Sequence, residues 1–490
     1  TTGTHNTAVG HNALTANTSG NRNTAVGRHA LTSNTTSLDN TGVGYHALEQ
    51  NTTGAENTAV GAYSLDANTT SSANTAVGYL ALTSNTTGSN NTALGQQSLQ
   101  LSTTTSNNTA LGKDALRYFT SSNNTAIGVD AMQGASGSST GSNNVAIGYH
   151  ALLSDTTGQL NIGIGVETLD ANTTGSYNVA VGKGAMGNNT TADYNTAVGQ
   201  EALLGNTTGT RNTGVGAFSL YTAQTANNNT AIGYYSLYAN TSGTGNSALG
   251  RQALDANTTG NYNTGLGLNA LSANTTADDN TAVGTNSLLL NTTGSQNVAI
   301  GAYALDASTT GSNLVAIGAY ALSSATTMSS NIAIGRRALF SATTAGDAIA
   351  IGYQALHDLT TGAHNLAIGQ NALYNTTTAS FNLAIGKDAL EANETGTQNI
   401  AIGYDALTTA TGVDYSIAIG VNSQKNNQSG DYNVSLGWQT MKDCTTGSSN
   451  VAIGNEAMEK ITTGVQNTAL GRTSLYNNTT GNNNTAIGQS

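Results

Sequence analysis

The sequence contains no proline and a single cysteine, Cys444, in 490 residues. One cysteine excludes an intrachain disulfide, so stability must come from elsewhere. Charged residues make up only 8 % and aromatic residues 5 %. Disordered chains are usually rich in proline and charge, and this one has neither, which argues against disorder. The formal net charge of −12 is spread thinly, with no basic patch or stripe. Nucleic-acid binding therefore has no electrostatic footprint, and the dilute acidity mainly favours solubility. No apolar run is long enough to span a bilayer and no signal peptide is evident, so no membrane span is expected.

What is present is repetition. A 17-residue unit, N-T-A-V-G-x-x-A-L-x-x-N-T-T-G-x-x, begins at Asn6 and recurs 29 times. Of the 28 intervals, 26 are 17 residues; the exceptions are 16 (108 to 124) and 20 (124 to 144). The extra residues fall among Gly134, Ser136, Gly137 and Ser138, which reads as a loop irregularity near 133–143. Seventeen residues cannot hold two packed helices, and the Gly and Thr pairs are poor helix formers. The period predicts an all-β fold, a parallel β-solenoid (β-roll) with one coil per repeat and two short strands per coil. It reads as a single continuous rod over 1–490, on the order of 140 Å long at about 4.8 Å per coil. Neither end carries a capping repeat, and the sequence starts and stops in mid-repeat, as expected of a segment from a longer chain.

The repeats serve as an internal alignment, so each position reports what it tolerates. Position 4 is always Val, Ile or Leu, and position 2 shifts from Thr (Thr24, Thr41, Thr58) to aliphatic (Ile332, Ile349, Leu366, Ile400). These two are read as the inward face of one strand, as period-2 alternation would allow. Position 9 is Leu or Met almost throughout, with Gln424 as an exception, and forms the other half of the core. Position 12 is mostly Asn but becomes Ala325, Leu359, Cys444 or Ile461 elsewhere. It is Asn chiefly where position 2 is Thr or Ser, which predicts that the two rows face each other across a thin interior, with the Asn side chains stacked as a ladder. Position 5 is Gly in every repeat, implying positive φ or a backbone approach too close for a Cβ. Position 3 is Ala or Gly except Ser435. By the same alternation it points outward, and its constant smallness reads as lateral packing against another copy of the chain, or else as crowding at the tight turn. The rims, positions 6, 7, 10, 11, 16 and 17, carry the charges and tyrosines.

The Asn-Val-Ala-Ile-Gly form of the repeat (Asn144 to Gly148, Asn297 to Gly301, Asn450 to Gly454) resembles the repeats of trimeric autotransporter adhesin heads. Those are left-handed parallel β-rolls of three packed chains. The longer form beginning at Asn74 looks like the Asn-Thr-rich repeat regions of phage tail-fibre and bacterial surface proteins. The resemblance covers essentially the whole chain, although the repeat here is longer than that of the adhesin heads. It implies an architecture, a trimeric assembly and an extracellular or cell- or virion-surface location by analogy.

Sites for chemistry are sparse. The seven histidines (His5, His11, His29, His46, His150, His357, His364) occupy different, mostly rim, positions and none is expected to converge with carboxylates. No Asp recurs as calcium-binding β-rolls require; Asp66, Asp170, Asp255 and Asp306 at position 10 are scattered. No catalytic residues, metal or cofactor are expected, and Cys444 reads as a small buried thiol. Formal N-glycosylation acceptors occur at Asn17, Asn34, Asn51, Asn85, Asn257 and Asn478, but their position 12 favours an internal ladder. The position-13 threonines (Thr18, Thr35, Thr52, Thr86, Thr258) form an outward hydroxyl row suited to O-linked sugars or to no modification. Adjacent threonines at 13 and 14 face opposite ways, unlike the paired rows of ice binders. The sequence therefore predicts a structural extracellular fibre, not an enzyme, assembled laterally or end to end. The alternatives are a segment of a trimeric adhesin or phage tail fibre and, remotely, an ice- or glycan-binding solenoid.

Overall fold

A computed structural model describes residues 2–137 and 139–489; of the expected loop residues, Ser138 lies outside these. Each repeat contributes one three-residue strand, from β1 (Thr7–Val9) to β29 (Thr485–Ile487), and no helix occurs among the described residues. The chain forms two compact halves, where the period alone reads as one run. The N-terminal half, Thr1–Gly245, carries strands β1 to β14 (Thr230–Ile232). The C-terminal half, Asn246–Ser490, carries β15 (Ser247–Leu249) to β29. Within each half consecutive strands pair in parallel and in register, Thr24 beside Thr41 and Ile332 beside Ile349. The fold is the expected all-β parallel solenoid.

Among the described residues each coil has one strand, not the expected two. The rest of each coil is turns, although its backbone still bonds coil to coil: Leu31 N–H donates to Ala47 O at 3.0 Å and Thr52 N–H to Thr69 O at 2.8 Å. The reason lies in the backbone at positions 7, 9 and 17, which is left-handed, as at Asn286 (φ 55°), Leu288 (φ 48°) and Gln296 (φ 61°). A strand cannot run through such residues. The Asn and Asp common at 7 and 17 adopt this conformation readily, whereas Leu at 9 does not. There the strain is offset by full burial of the side chain, as for Leu288 and Leu322, a gain of roughly 1.5–3 kcal/mol each. Position-5 glycine meets both demands expected of it. Gly301 has φ 131°, and a Cβ on it would stand 2.6 Å from the carbonyl carbon of Gly318 in the next coil.

The strand phase is the reverse of that read from the sequence. Position 3 is fully buried, as in Ala25, Ala333 and Ala401, while positions 2 and 4 face outward and are half-buried or exposed. Position 3 is small because of the interior, not because a second chain presses on it. A Cβ on Gly42 would lie 3.3 Å from Leu31 Cγ and 3.2 Å from Ala47 O, so the wall leaves room for one methyl group. Positions 2 and 12 consequently do not face each other. The interior is lined instead by Ala at 3 and 8, Leu at 9, and two Asn ladders.

The position-12 ladder is as expected: Asn51 Nδ2 donates to Asn34 Oδ1 at 3.1 Å and to Gly54 O at 2.9 Å. The second ladder, at position 1, went unread in the sequence. Asn40 N–H donates to Asn23 Oδ1 at 3.0 Å, and Asn23 Nδ2 donates to Ser37 O at 2.9 Å. Position-15 carbonyls thus serve both ladders and pair the buried amide N–H groups, while the Oδ1 atoms of Asn85, Asn206 and Asn291 are left without a partner. Where position 12 turns apolar the ladder gives way to a packed cluster, as with Met441, Cys444, Met458 and Ile461.

The two coils of irregular length lie between β7 (Thr109–Leu111) and β9 (Val145–Ile147). In the 16-residue coil Phe119 takes position 12 and is fully buried, bridged to Ser139 of the following coil. Gly134 and Gly137 have positive φ, and Ser139 Oγ accepts from Ala135 N–H at 3.2 Å. The strands on either side, β8 (Thr125–Ile127) and β9 (Val145–Ile147), remain paired in register, Thr125 beside Val145. Because the phase places Ala333 inside and Ile332 outside, Ala333→Leu is expected to overpack the interior, costing about 1–3 kcal/mol or more. Ile332→Thr should stay within about 1 kcal/mol. Thermal melts followed by circular dichroism check this, and the opposite order would restore the opposite phase.

Candidate functional site

With positions 2 and 4 outward, the stacked strands of each half carry two parallel rows of side chains on one outer face. Position 4 is aliphatic in all 29 strands; position 2 is Thr or Ser in 16 and aliphatic in 13, and no charged residue occurs in either row. In the C-terminal half, β18 (Val298–Ile300) to β27 (Val451–Ile453) place aliphatic residues in both rows for ten consecutive coils. A shorter block spans β9 (Val145–Ile147) to β11 (Val179–Val181) in the N-terminal half. Ile300 and Leu436 retain 38 % and 46 % of their surface. At about 4.8 Å per coil the ten-coil block is roughly 48 Å long and about 10 Å wide, on the order of 500 Å². That is at the upper end of apolar patches on monomers, and such patches mark interaction sites. The strand repeat thus builds a flat, uncharged, self-similar face.

The rims carry rings and ions. Contrary to the expectation for histidine, several do meet carboxylates. His29 and His46 both occupy position 7 in consecutive coils, their rings 4.9 Å apart, and share Glu49: His46 bonds to it through Nδ1, and His29 Nδ1 lies 4.0 Å away. His150 pairs with Asp130 at 3.6 Å, His357 with Asp358 at 2.7 Å and His364 with Asp347 at 3.7 Å. The 17-residue spacing of His29 and His46 was the signal that could have disclosed the pair. His11 stacks edgewise on His29 at 5.7 Å, and His5 bonds to its neighbour Thr4. Among the described residues no group of three or more His, Cys, Asp or Glu is placed to hold a metal ion. The position-10 aspartates are half-buried, and two of them are answered by the next coil. Thr83 Oγ1 donates to Asp66 at 2.5 Å and Ser272 Oγ to Asp255 at 2.7 Å, while burial pushes both carboxyls above their ordinary range. Asp170 and Asp306 are raised for the same reason. Burial likewise pushes the Cys444 thiol up to about 12. No helix among the described residues is long and apolar enough to cross a membrane.

The glycosylation acceptors have their attachment atoms engaged within the coil. Nδ2 of Asn17, Asn51, Asn85, Asn257 and Asn478 donates to a position-15 carbonyl at 2.9–3.2 Å, and that of Asn34 to Asn17 Oδ1 at 3.2 Å. The hydroxyls of Thr18, Thr35, Thr52, Thr86 and Thr258 each donate to the position-13 carbonyl of the next coil at 2.9–3.1 Å. That row is therefore a third ladder, on the outside of the turn. No known protein family matches the chain, and no curated protein matches it in sequence.

One carboxyl, that of Asp155, interrupts the position-12 ladder. Asp155 is fully buried; its Oδ1 accepts from Asn172 Nδ2 at 3.0 Å and Gly158 N–H at 3.1 Å, whereas Oδ2 has no partner. Burial pushes its carboxyl up to about 8, against the opposing pull of those two hydrogen bonds. The folded state therefore holds the proton more tightly than the unfolded chain, whose carboxyl titrates near 3.9. The stability this contributes is present at low pH and is lost as pH rises through about 8. Hydrogen-exchange protection in the coils flanking Asp155, taken relative to the intrinsic exchange rate at each pH, should fall between about pH 4 and 8 in the native chain, and Asp155→Asn should remove that fall. An unchanged pH slope in the variant would show that Asp155 is not its source.

Proposed function

We propose that this chain is a structural fibre segment, a β-solenoid shaft that acts at the cell or virion surface and packs laterally against further copies of itself through its outer strand face. The observation that carries this reading is the ten-coil aliphatic block from β18 to β27. A solvated row ordinarily drifts toward polar and charged residues, because nothing else constrains it. Here 20 outward positions stay Val, Ile or Leu without one charge, which is the composition of a surface that is covered in use. In-register strands also repeat the same spacing on every copy, so the face matches itself. The partner is a second copy of the chain, joined through positions 2 and 4 instead of the position-3 row. The role is architectural, with no catalytic step and no cofactor.

A three-fold assembly, as in an adhesin head or tail fibre, would use the same face and is distinguished by stoichiometry alone. One observation speaks for the ice-binding alternative: eight successive outward threonines, Thr7 to Thr125, alternate with Val, Leu or Ile on β1 to β8 (Thr125–Ile127).

Sedimentation equilibrium of the purified chain is expected to yield an oligomer that Ile351→Glu combined with Ile385→Glu dissociates, with the circular dichroism of the coils retained. Three copies would favour the adhesin or tail-fibre form. A native chain that stays monomeric at high micromolar concentration would sink the self-association reading, and thermal hysteresis in such a monomer would favour the ice binder.

A further inference from the structure

Because each coil repeats the one before it, equal residues at equal positions fall directly beside one another. Tyrosines at position 17 of two consecutive coils therefore stack. Tyr177 and Tyr194 lie with ring centroids 4.8 Å apart and planes 6° from parallel; Tyr415 and Tyr432 lie 5.1 Å apart at 2°. Among the described residues no third ring stacks on either pair. All four rings are open to solvent, retaining 50 %, 54 %, 47 % and 58 % of their surface in that order. Their backbones are pinned across the coil boundary. Tyr194 N–H donates to Ser176 O at 3.1 Å and Tyr432 N–H to Asp414 O at 3.2 Å, each acceptor being the residue just before the partner tyrosine. The side chains can turn about their two χ angles while the two Cα atoms stay adjacent.

We propose that Tyr177–Tyr194 and Tyr415–Tyr432 are oxidative cross-linking sites, at which a peroxidase-type one-electron oxidant with hydrogen peroxide joins neighbouring coils through a dityrosine bond. Each phenol loses one electron and one proton to give a phenoxyl radical. The two radicals couple through their ring carbons ortho to oxygen, forming one carbon–carbon bond. The hydrogen on each coupled carbon then moves to its oxygen, which restores both phenols. Two hydrogens leave per bond, and one hydrogen peroxide is reduced to two waters. The ladder supplies what this coupling needs: two radicals formed within one molecule and held at the same site, so that the encounter is intramolecular.

The chemistry also fits the composition. Cys444 is the only cysteine and is buried, so disulfides cannot tie one coil to the next, and paired tyrosines are the covalent alternative on the rim. Tyr262 provides the internal control. It too occupies position 17 and retains 65 % of its surface, but no ring stacks on it among the described residues.

The test treats the full-length chain at low micromolar concentration with horseradish peroxidase and hydrogen peroxide, followed by dityrosine fluorescence and peptide mapping by mass spectrometry. The expected result is linked peptide pairs 177 with 194 and 415 with 432, each lighter by two hydrogens, in chains of unchanged length. Their yield should be independent of protein concentration. Tyr303–Tyr320 and Tyr221–Tyr238 stack at 5.1 Å and 5.0 Å but are only half-exposed, and are expected to link less. Tyr194→Phe should abolish the first link and spare the second, Tyr432→Phe the reverse, with circular dichroism unaltered in both. Links that form mainly between chains, or that involve Tyr262 as often as the stacked pairs, would overturn the proposal. So would oxidation of Tyr262 without any link at either pair.

Discussion

Coil-to-coil hydrogen bonding that sets equal positions side by side is the constraint on which everything else in this protein depends. A residue's partner is the residue one repeat away, so whatever stands at a position stacks on its own kind. That rule generates the two internal Asn ladders, the position-13 hydroxyl ladder and the tyrosine stacks from one source. It also explains why a chain with no disulfide can be ordered. Each coil is too small to bury a core of its own, and its Leu, Ala and Asn are covered only by the coils on either side. The narrow interior then sets composition. One methyl fits at position 3, one Leu at position 9, and the amides at 1 and 12 must find partners in one another and in the position-15 carbonyls.

The outer face follows from the same constraint. Burial of position 3 turns positions 2 and 4 outward, and in-register pairing extends each into a continuous row. A substitution in one repeat of an ordinary protein alters one contact. Here a preference repeated 29 times becomes a surface. The change at position 2 from Thr to Val, Ile or Leu along the C-terminal half therefore converts a mixed face into an aliphatic one over ten coils, without altering the fold beneath it. Position 12 and position 2 change together along the chain, Asn at 12 accompanying Thr or Ser at 2, although one row lies inside and the other outside and the two do not face each other.

Much of this was legible in the sequence. The 17-residue period disclosed the all-β solenoid, the place of the loop and the inward Leu at position 9. The mixture of Asn with Leu, Ile and Cys at position 12 disclosed a buried ladder, because only an interior row accepts both kinds. The constant glycine at position 5 disclosed the left-handed, crowded turn. What misled was the phase of the strand. Aliphatic residues at positions 2 and 4 flank a small residue, and alternation is equally satisfied with either set inside. Hydrophobicity favours burying the larger pair, but the distance between the coil walls admits only the smaller residue.

The sequence by itself determined the period, the parallel stacking and the identity of the residues that must be buried at positions 9 and 12. Those depend on repetition and polarity, which are properties of the chain read in order. Only the tertiary structure decided which face of the strand looks inward, that one strand rather than two forms per coil, and that His29 and His46 share Glu49. These depend on how sharply the backbone turns at positions 7, 9 and 17 and on how little space the turn encloses. Neither quantity is written in the order of residues, since both arise from three-dimensional closure of the coil.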